Sequence, residues 1–170
     1  FNPKYIITEK ILNNLTAITA AREVIEQAHL VPKWEAKLRR QALMRNTHSS
    51  TAIEGNKLTL EQVEALAAGK DIAATKKDKQ EVLNYLEALE RIPELAEKGK
   101  IRSVDLLNIH RIVTKDVMQN SDDSGAFRNR QVFVGKRIFD GTGFKEEVEY
   151  MPPKTEEVPG LVGEFLDWLN

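Results

Sequence analysis

The sequence predicts an all-α chain that carries one β-hairpin. Three observations lead there. Apolar residues recur at three- and four-residue spacing through most of the chain. Helix-start chemistry precedes these stretches, and glycine or proline follows them. One region, about residues 131–150, breaks the pattern with two short β-type runs around Asp140-Gly141-Thr142-Gly143, a turn-forming sequence.

Thr8 is placed to cap a first helix running to about His29, with Ile11, Leu15, Ile18 and Ile25 as its stripe. Val31-Pro32 breaks it. A second helix starts near Lys33, carries Trp34, Leu38, Met44 and Ile53, and stops at Gly55. Thr59-Leu60-Glu61-Gln62 is a capping box, in which Thr59 accepts the Gln62 amide proton and Gln62 reaches back to the Thr59 amide. Leu58 and Val63 are spaced as the matching hydrophobic staple, and Gly69 closes this short helix. A fourth helix spans roughly Lys76 to Arg91 on Val82, Leu86 and Leu89. Pro93 interrupts it, and Gly99 ends the short segment beyond that proline. Ser103 caps a fifth, with Leu106, His110, Val113 and Val117 in line. After a polar loop, Gln131 to Val134 and Glu147 to Tyr150 form the hairpin strands. Pro152-Pro153 then launches a last helix through Leu161, Val162, Phe165 and Leu169.

The bulk numbers narrow the function classes. With 170 residues, 41% hydrophobic and 30% charged, the chain is long enough for a real core. A net charge of −1 gives no general pull toward nucleic acid or anionic membrane. The absence of cysteine removes disulfides and thiolate zinc sites, and with no signal peptide the expected compartment is cytoplasmic. No apolar run reaches the ~18 residues of a membrane span, so no membrane partner is expected. Phe1 at the start, and apolar periodicity running up to Asn170, lead us to expect a fragment of a longer protein.

The most informative stretch is Ser50-Thr51-Ala52-Ile53-Glu54-Gly55-Asn56. It ends a helix with a carboxylate in the last turn. The partial negative charge there disfavours Glu54 by about 0.3–1 kcal/mol. A carboxylate held against its own helix dipole calls for a cationic partner elsewhere.

Four stretches, in order, resemble the Fic-domain family, whose best-known activity is transfer of AMP to a protein hydroxyl. Ser50 through Gly55 fits the inhibitory pattern (S/T)xxxE(G/N). Glu81 to Leu89 resembles the family's helix after the inhibitory one. Ile109-His110-Arg111 and Gly125-Ala126-Phe127-Arg128 resemble the next helix and its exit. Val132-Phe133-Val134-Gly135 and Tyr150-Met151-Pro152-Pro153 resemble the hairpin called the flap. The match covers about residues 33–170. The family's catalytic motif HxFx(D/E)GNGRxxR is absent, and none of His29, His48 or His110 begins it.

The resemblance implies a Fic-like helical bundle, truncated before the catalytic helix. Residues 1–58 would hold N-terminal helices including the inhibitory one. Residues 59–170 would form the first part of the core, with the flap at about 131–150. It also implies a parent adenylyltransferase using ATP and Mg²⁺, both held mainly by the missing segment, and a protein substrate with a Ser, Thr or Tyr hydroxyl. No catalytic residue lies in this chain. Glu54 would pair with the motif's last arginine and keep ATP from placing its γ-phosphate. Ser50 would support Glu54 or the helix end, and Gly55 and Asn56 would fix where the helix stops. Val132, Phe133 and Val134 would be the edge that docks the target as an added strand.

Plainer readings stand beside these. His110 on an apolar face reads as a core histidine donating to a backbone carbonyl. His48 reads as solvent-exposed, Arg128 as structural, and Trp34 and Trp168 as core or cap residues. Arg128, Arg130, Lys136 and Arg137 lie together without an acid between them; with a net charge of −1 this reads as a solvated loop, a structural ion pair or contacts to ATP and target ahead of a nucleic-acid-gripping hairpin. The alternative from another class is a non-catalytic helical module that binds a protein or peptide through its hairpin. A homodimer is also left open.

Overall fold

The computed structural model of the chain describes residues 1–28, 31–139 and 141–170, and of Arg137 the backbone alone. Six helices and one hairpin are found among them: α1 Glu9–Gln27, α2 Pro32–Ile53, α3 Leu60–Ala67, α4 Lys76–Glu97, α5 Ser103–Val113, β1 Val134–Phe139, β2 Phe144–Tyr150 and α6 Val158–Leu169. The expected helix end at His29 and Asp140 of the turn fall outside the described residues.

Local chemistry explains most boundaries. Thr8 Oγ1 accepts from the Ile11 amide at 3.3 Å. Pro32 opens α2 in the first turn, where its missing N–H costs nothing. The α3 capping box is complete: Gln62 N donates to Thr59 Oγ1 at 3.3 Å and Thr59 N donates to Gln62 Oε1 at 2.9 Å. Its staple residues Leu58 and Val63 are both buried.

Three helix expectations are corrected. Pro93 lies inside α4, which runs on to Glu97. Proline's fixed φ is itself helical, so only one amide is lost. The helix still closes normally, with the Lys98 and Gly99 amides on the Leu95 and Ala96 carbonyls at 3.2 and 3.3 Å. Ser103 is the first residue of α5 and not its cap. The capping position is Arg102, whose amide donates to Asp105 Oδ2 at 3.1 Å. Val117 lies beyond α5, because the chain turns at Thr114 and Asp116 adopts φ 59°.

The core is built where α2, α3 and α4 meet. Met44, Leu58, Val63 and Val82 form its buried centre, flanked by Leu43, Leu60, Leu66 and Leu86. Helix α5 packs on α4 and α6. Asn84 joins α4 to the exit of α5: its Nδ2 donates to the carbonyls of Val113 at 3.2 Å and Lys115 at 2.7 Å, while Gln80 donates to its Oδ1 at 2.9 Å. Helix α1 buries none of its residues. The N-terminus nevertheless reaches α6, where the Phe1 ring meets Phe165 and Trp168 at 5.4 and 5.1 Å and its ammonium pairs with Glu164 at 3.0 Å. Trp34 and Trp168 are surface residues instead of core ones. Trp34 lies under Lys37, 5.3 Å from the ring centre. No helix among the described residues is long and apolar enough to cross a membrane.

The hairpin is antiparallel, pairing Val134 with Tyr150 and Phe139 with Phe144, with an irregularity between Val134 and Gly135. Its strands start later and earlier, respectively, than the expected Gln131 and Glu147. Opposite Gln131 to Phe133 stand Met151, Pro152 and Pro153. Prolines have no N–H with which to extend the ladder. Instead Gln131 Nε2 donates to the Pro152 carbonyl at 3.1 Å.

Candidate functional site

Helix α2 ends in a Schellman motif. Gly55 N donates to Ala52 O at 3.0 Å, Asn56 N donates to Thr51 O at 3.0 Å, and Gly55 takes φ +93°. Glu54 occupies the C-cap. Its carboxylate is exposed and makes no hydrogen bond or ion pair among the described residues. Ile53 beside it is 83% exposed. Ser50 does not reach Glu54, since its Oγ donates to Asn46 Oδ1 at 3.2 Å, a turn back along α2.

Asn56, by contrast, is buried and fully engaged. Nδ2 donates to Asp78 O and to Glu81 Oε2, each at 2.9 Å, and Oδ1 accepts from Leu58 N at 3.1 Å. The helix end that carries Glu54 is thereby tied to α4 and to the start of α3.

The second cluster joins α5 to the hairpin. His110 accepts the Gly125 amide on Nδ1 at 3.0 Å, so the expected donation to a carbonyl is replaced by acceptance from an N–H. Gly125 has φ +71°, and a Cβ there would come within 2.7 Å of Arg111 Cβ. Thr114 Oγ1 and Ser124 Oγ lie 2.8 Å apart, and Ser124 also donates to Arg111 O at 3.3 Å. Arg130 forms a two-pronged pair with Asp123, and Arg128 donates to the Pro153 carbonyl at the hairpin base. These links answer the basic run: Arg128 and Arg130 are internal ties, and Lys136 pairs with Glu149 at 2.7 Å across the strands.

A cleft of about 480 Å³ lies between α5, this segment and the start of α6, lined by Leu106, Met118, Phe127, Arg128, Val132 and Val158. Val132, Phe133 and Val134 are all exposed, but only Val134 belongs to β1. All of β2 is exposed. Among the described residues the hairpin strands pack on each other and on no helix, while α2 packs on α3 and α4. Among the described residues no group of three or more His, Asp or Glu side chains is arranged to hold a metal ion.

No family model matches the chain. Curated relatives do. Protein adenylyltransferase Fic of Drosophila willistoni is 28% identical over 167 residues, covering 96% of this chain and 30% of that protein. The Nematostella vectensis protein of the same name is 28% identical over 134 residues, covering 76% of this chain and 28% of its own length. The crystal structure of a Fic family protein from Desulfovibrio desulfuricans G20 superposes with a TM-score of 0.71 at 29% identity, over 99% of this chain and 47% of that one. Along nearly its whole length the chain is similar to Fic family proteins.

The chain spans less than a third of the length of these curated relatives and about half of the structural neighbour. Within it, sequence reasoning missed the partners of Asn56 and Asn84 and the pairing of His110 with Gly125. The signal in the sequence was an Asn or Gly in each of the quoted motifs, but nothing local names a partner 15 to 31 residues away.

Proposed function

We propose that this chain is the regulatory and target-docking portion of a Fic-type protein adenylyltransferase of the cytoplasm, which moves AMP from ATP to a Ser, Thr or Tyr hydroxyl and is restrained by Glu54. The observation that carries the reading is the state of Glu54. It is a carboxylate at the negative end of a helix, held in place by a complete Schellman turn, exposed and without a cationic partner among the described residues. Such a group is poised to accept a guanidinium from another segment, and a two-pronged Arg–carboxylate pair is among the stronger polar contacts a protein can make.

ATP and Mg²⁺ would be held mainly by a segment bearing the catalytic motif. This chain's own residues do two things. Glu54 occupies an arginine that nucleotide would otherwise use. The hairpin, with its base tied by Arg128 and Gln131, presents main-chain groups to an extended target.

The test is Glu54→Gly in the protein that carries both this chain and the catalytic motif, with labelled ATP as donor. Label transfer to protein is expected to rise about tenfold or more, the worth of one charged hydrogen-bonded pair. Unchanged transfer rejects the inhibitory role. The non-catalytic reading, a module recruiting a partner through the hairpin, draws on the exposed Phe139–Phe144 pair at its tip, 5.4 Å between ring centres. A full-length protein that binds a partner through this tip and transfers no label in either form would favour it.

A further inference from the structure

We propose that Asn56 is a positioning residue that sets how strongly Glu54 inhibits, acting by pinning the last turn of α2 to α4. This rests on the inhibitory reading of Glu54 and adds to it a second residue with its own chemistry.

Glu54 makes no hydrogen bond or ion pair among the described residues that would orient it, so its aim is set by its backbone. That backbone sits in the last turn of a helix, where fraying is the rule. What holds the turn is Asn56. Its backbone amide closes the Schellman motif on Thr51. Its side chain, in a residue only 7% exposed, spends both amide protons on α4, at the carbonyl of Asp78 and the carboxylate of Glu81. Its Oδ1 takes the amide of Leu58, a residue of the buried core. Helix α4, distant in sequence, and the neighbouring Leu58 thus grip the residue two positions after Glu54. Lys77, 3.6 Å from Glu81 Oε1, holds the acceptor carboxylate from the other side.

Asparagine is the side chain this position calls for. It must donate twice toward α4 and accept once from Leu58. Aspartate would keep the acceptor and turn a second oxygen toward the Asp78 carbonyl and the Glu81 carboxylate. The link to α4 would then repel, and the last turn of α2 would lose its anchor while Glu54 itself stayed unchanged.

The experiment uses the full-length protein carrying the catalytic motif, and reads AMP label transfer together with amide hydrogen exchange over residues 50–58. Asn56→Asp is expected to raise transfer about five- to thirtyfold, the range for losing one or two units of local stability, and to speed exchange at the end of α2. Combining it with Glu54→Gly should give no more transfer than Glu54→Gly alone, since both act through the same carboxylate. Adding Glu81→Gln to Asn56→Asp should lower transfer again, because the Gln amide can donate to the new carboxylate. Glu81→Ala, which removes one of the two α4 acceptors and leaves Asn56 in place, should also raise transfer, and it stands in if Asn56→Asp does not fold. If Glu54→Gly raises transfer while Asn56→Asp and Glu81→Ala do not, the role of Asn56 is overturned and that of Glu54 stands. A double variant more active than Glu54→Gly also overturns it. Flat transfer in Glu54→Gly overturns both.

Discussion

His110 holds the backbone of Gly125: Nδ1 accepts the glycine amide at 3.0 Å, where the chain leaves the turns after α5 and heads for the hairpin. The glycine has φ +71° and lies against Leu107 and Arg111, where a Cβ would meet Arg111 Cβ at 2.7 Å and Leu107 O at 3.1 Å. Gly125→Ala therefore meets strain from both backbone angle and contact. It should lower stability by about 1–3 kcal/mol. His110→Leu leaves the amide without its acceptor and should cost a similar ~1–3 kcal/mol. Urea midpoints of the two variants check this, and an unshifted midpoint for Gly125→Ala would contradict the geometry.

Asp105 predicts a pH dependence. It is buried, and the Arg102 backbone amide, first, then the Lys98 ammonium and the Arg102 side chain hold its carboxyl below the ordinary carboxylate range. A carboxyl lowered on folding stabilises the fold above its unfolded value of about 3.9. That contribution is lost as pH falls through the folded value. Asp105→Asn should lower the urea midpoint at neutral pH, and the gap to wild type should narrow as pH is taken below about 3.9. Unfolding curves at several pH values decide it. A gap that stays constant would show that packing, not charge, is what Asp105 provides.

Gly135 sits at the irregularity of the hairpin, where a Cβ would come within 2.2 Å of the Glu147 carbonyl oxygen. Gly135→Val cannot keep this register. Amide exchange in residues 134–150 should accelerate, while helices α2 to α4, which do not pack on the hairpin, keep their protection. Hydrogen exchange resolved by segment is the measurement, and unaltered hairpin protection would be the contrary result.

Thr59→Ala removes the N-cap acceptor of α3 and should cost about 1 kcal/mol. Gln62→Ala removes the reciprocal half, freeing the Thr59 amide, and also loosens the side chain's 3.4 Å link to Ala73 O. Both should lower the thermal midpoint. A neutral Thr59→Ala would mean that the Leu58–Val63 staple alone determines where α3 begins.

Features governed by neighbours within one helical turn were readable in advance. Thr8, the Thr59–Gln62 box and the Gly55 stop stand as expected, because cap and capped amide are three or four residues apart. Where one local rule competes with another, reading failed. Pro93 has a helical φ and was absorbed into α4. Ser103 lost the cap of α5 to Arg102, because the carboxylate that closes it is on buried Asp105. The hairpin began at Val134 since two prolines stand opposite its expected start.

Sequence alone determined the helical class, the single hairpin, the family resemblance and Glu54 as the residue in the wrong electrostatic place. Tertiary structure alone decided that Asn56 meets Glu81, that Asn84 meets Lys115, that Ser50 turns back to Asn46, and that Glu54 is left without a partner among the described residues. The reason is physical. A cap or a helix stop is a contest among atoms already held close by the chain, whereas a side chain's distant partner depends on which helix faces pack, and packing is settled by the whole buried core at once.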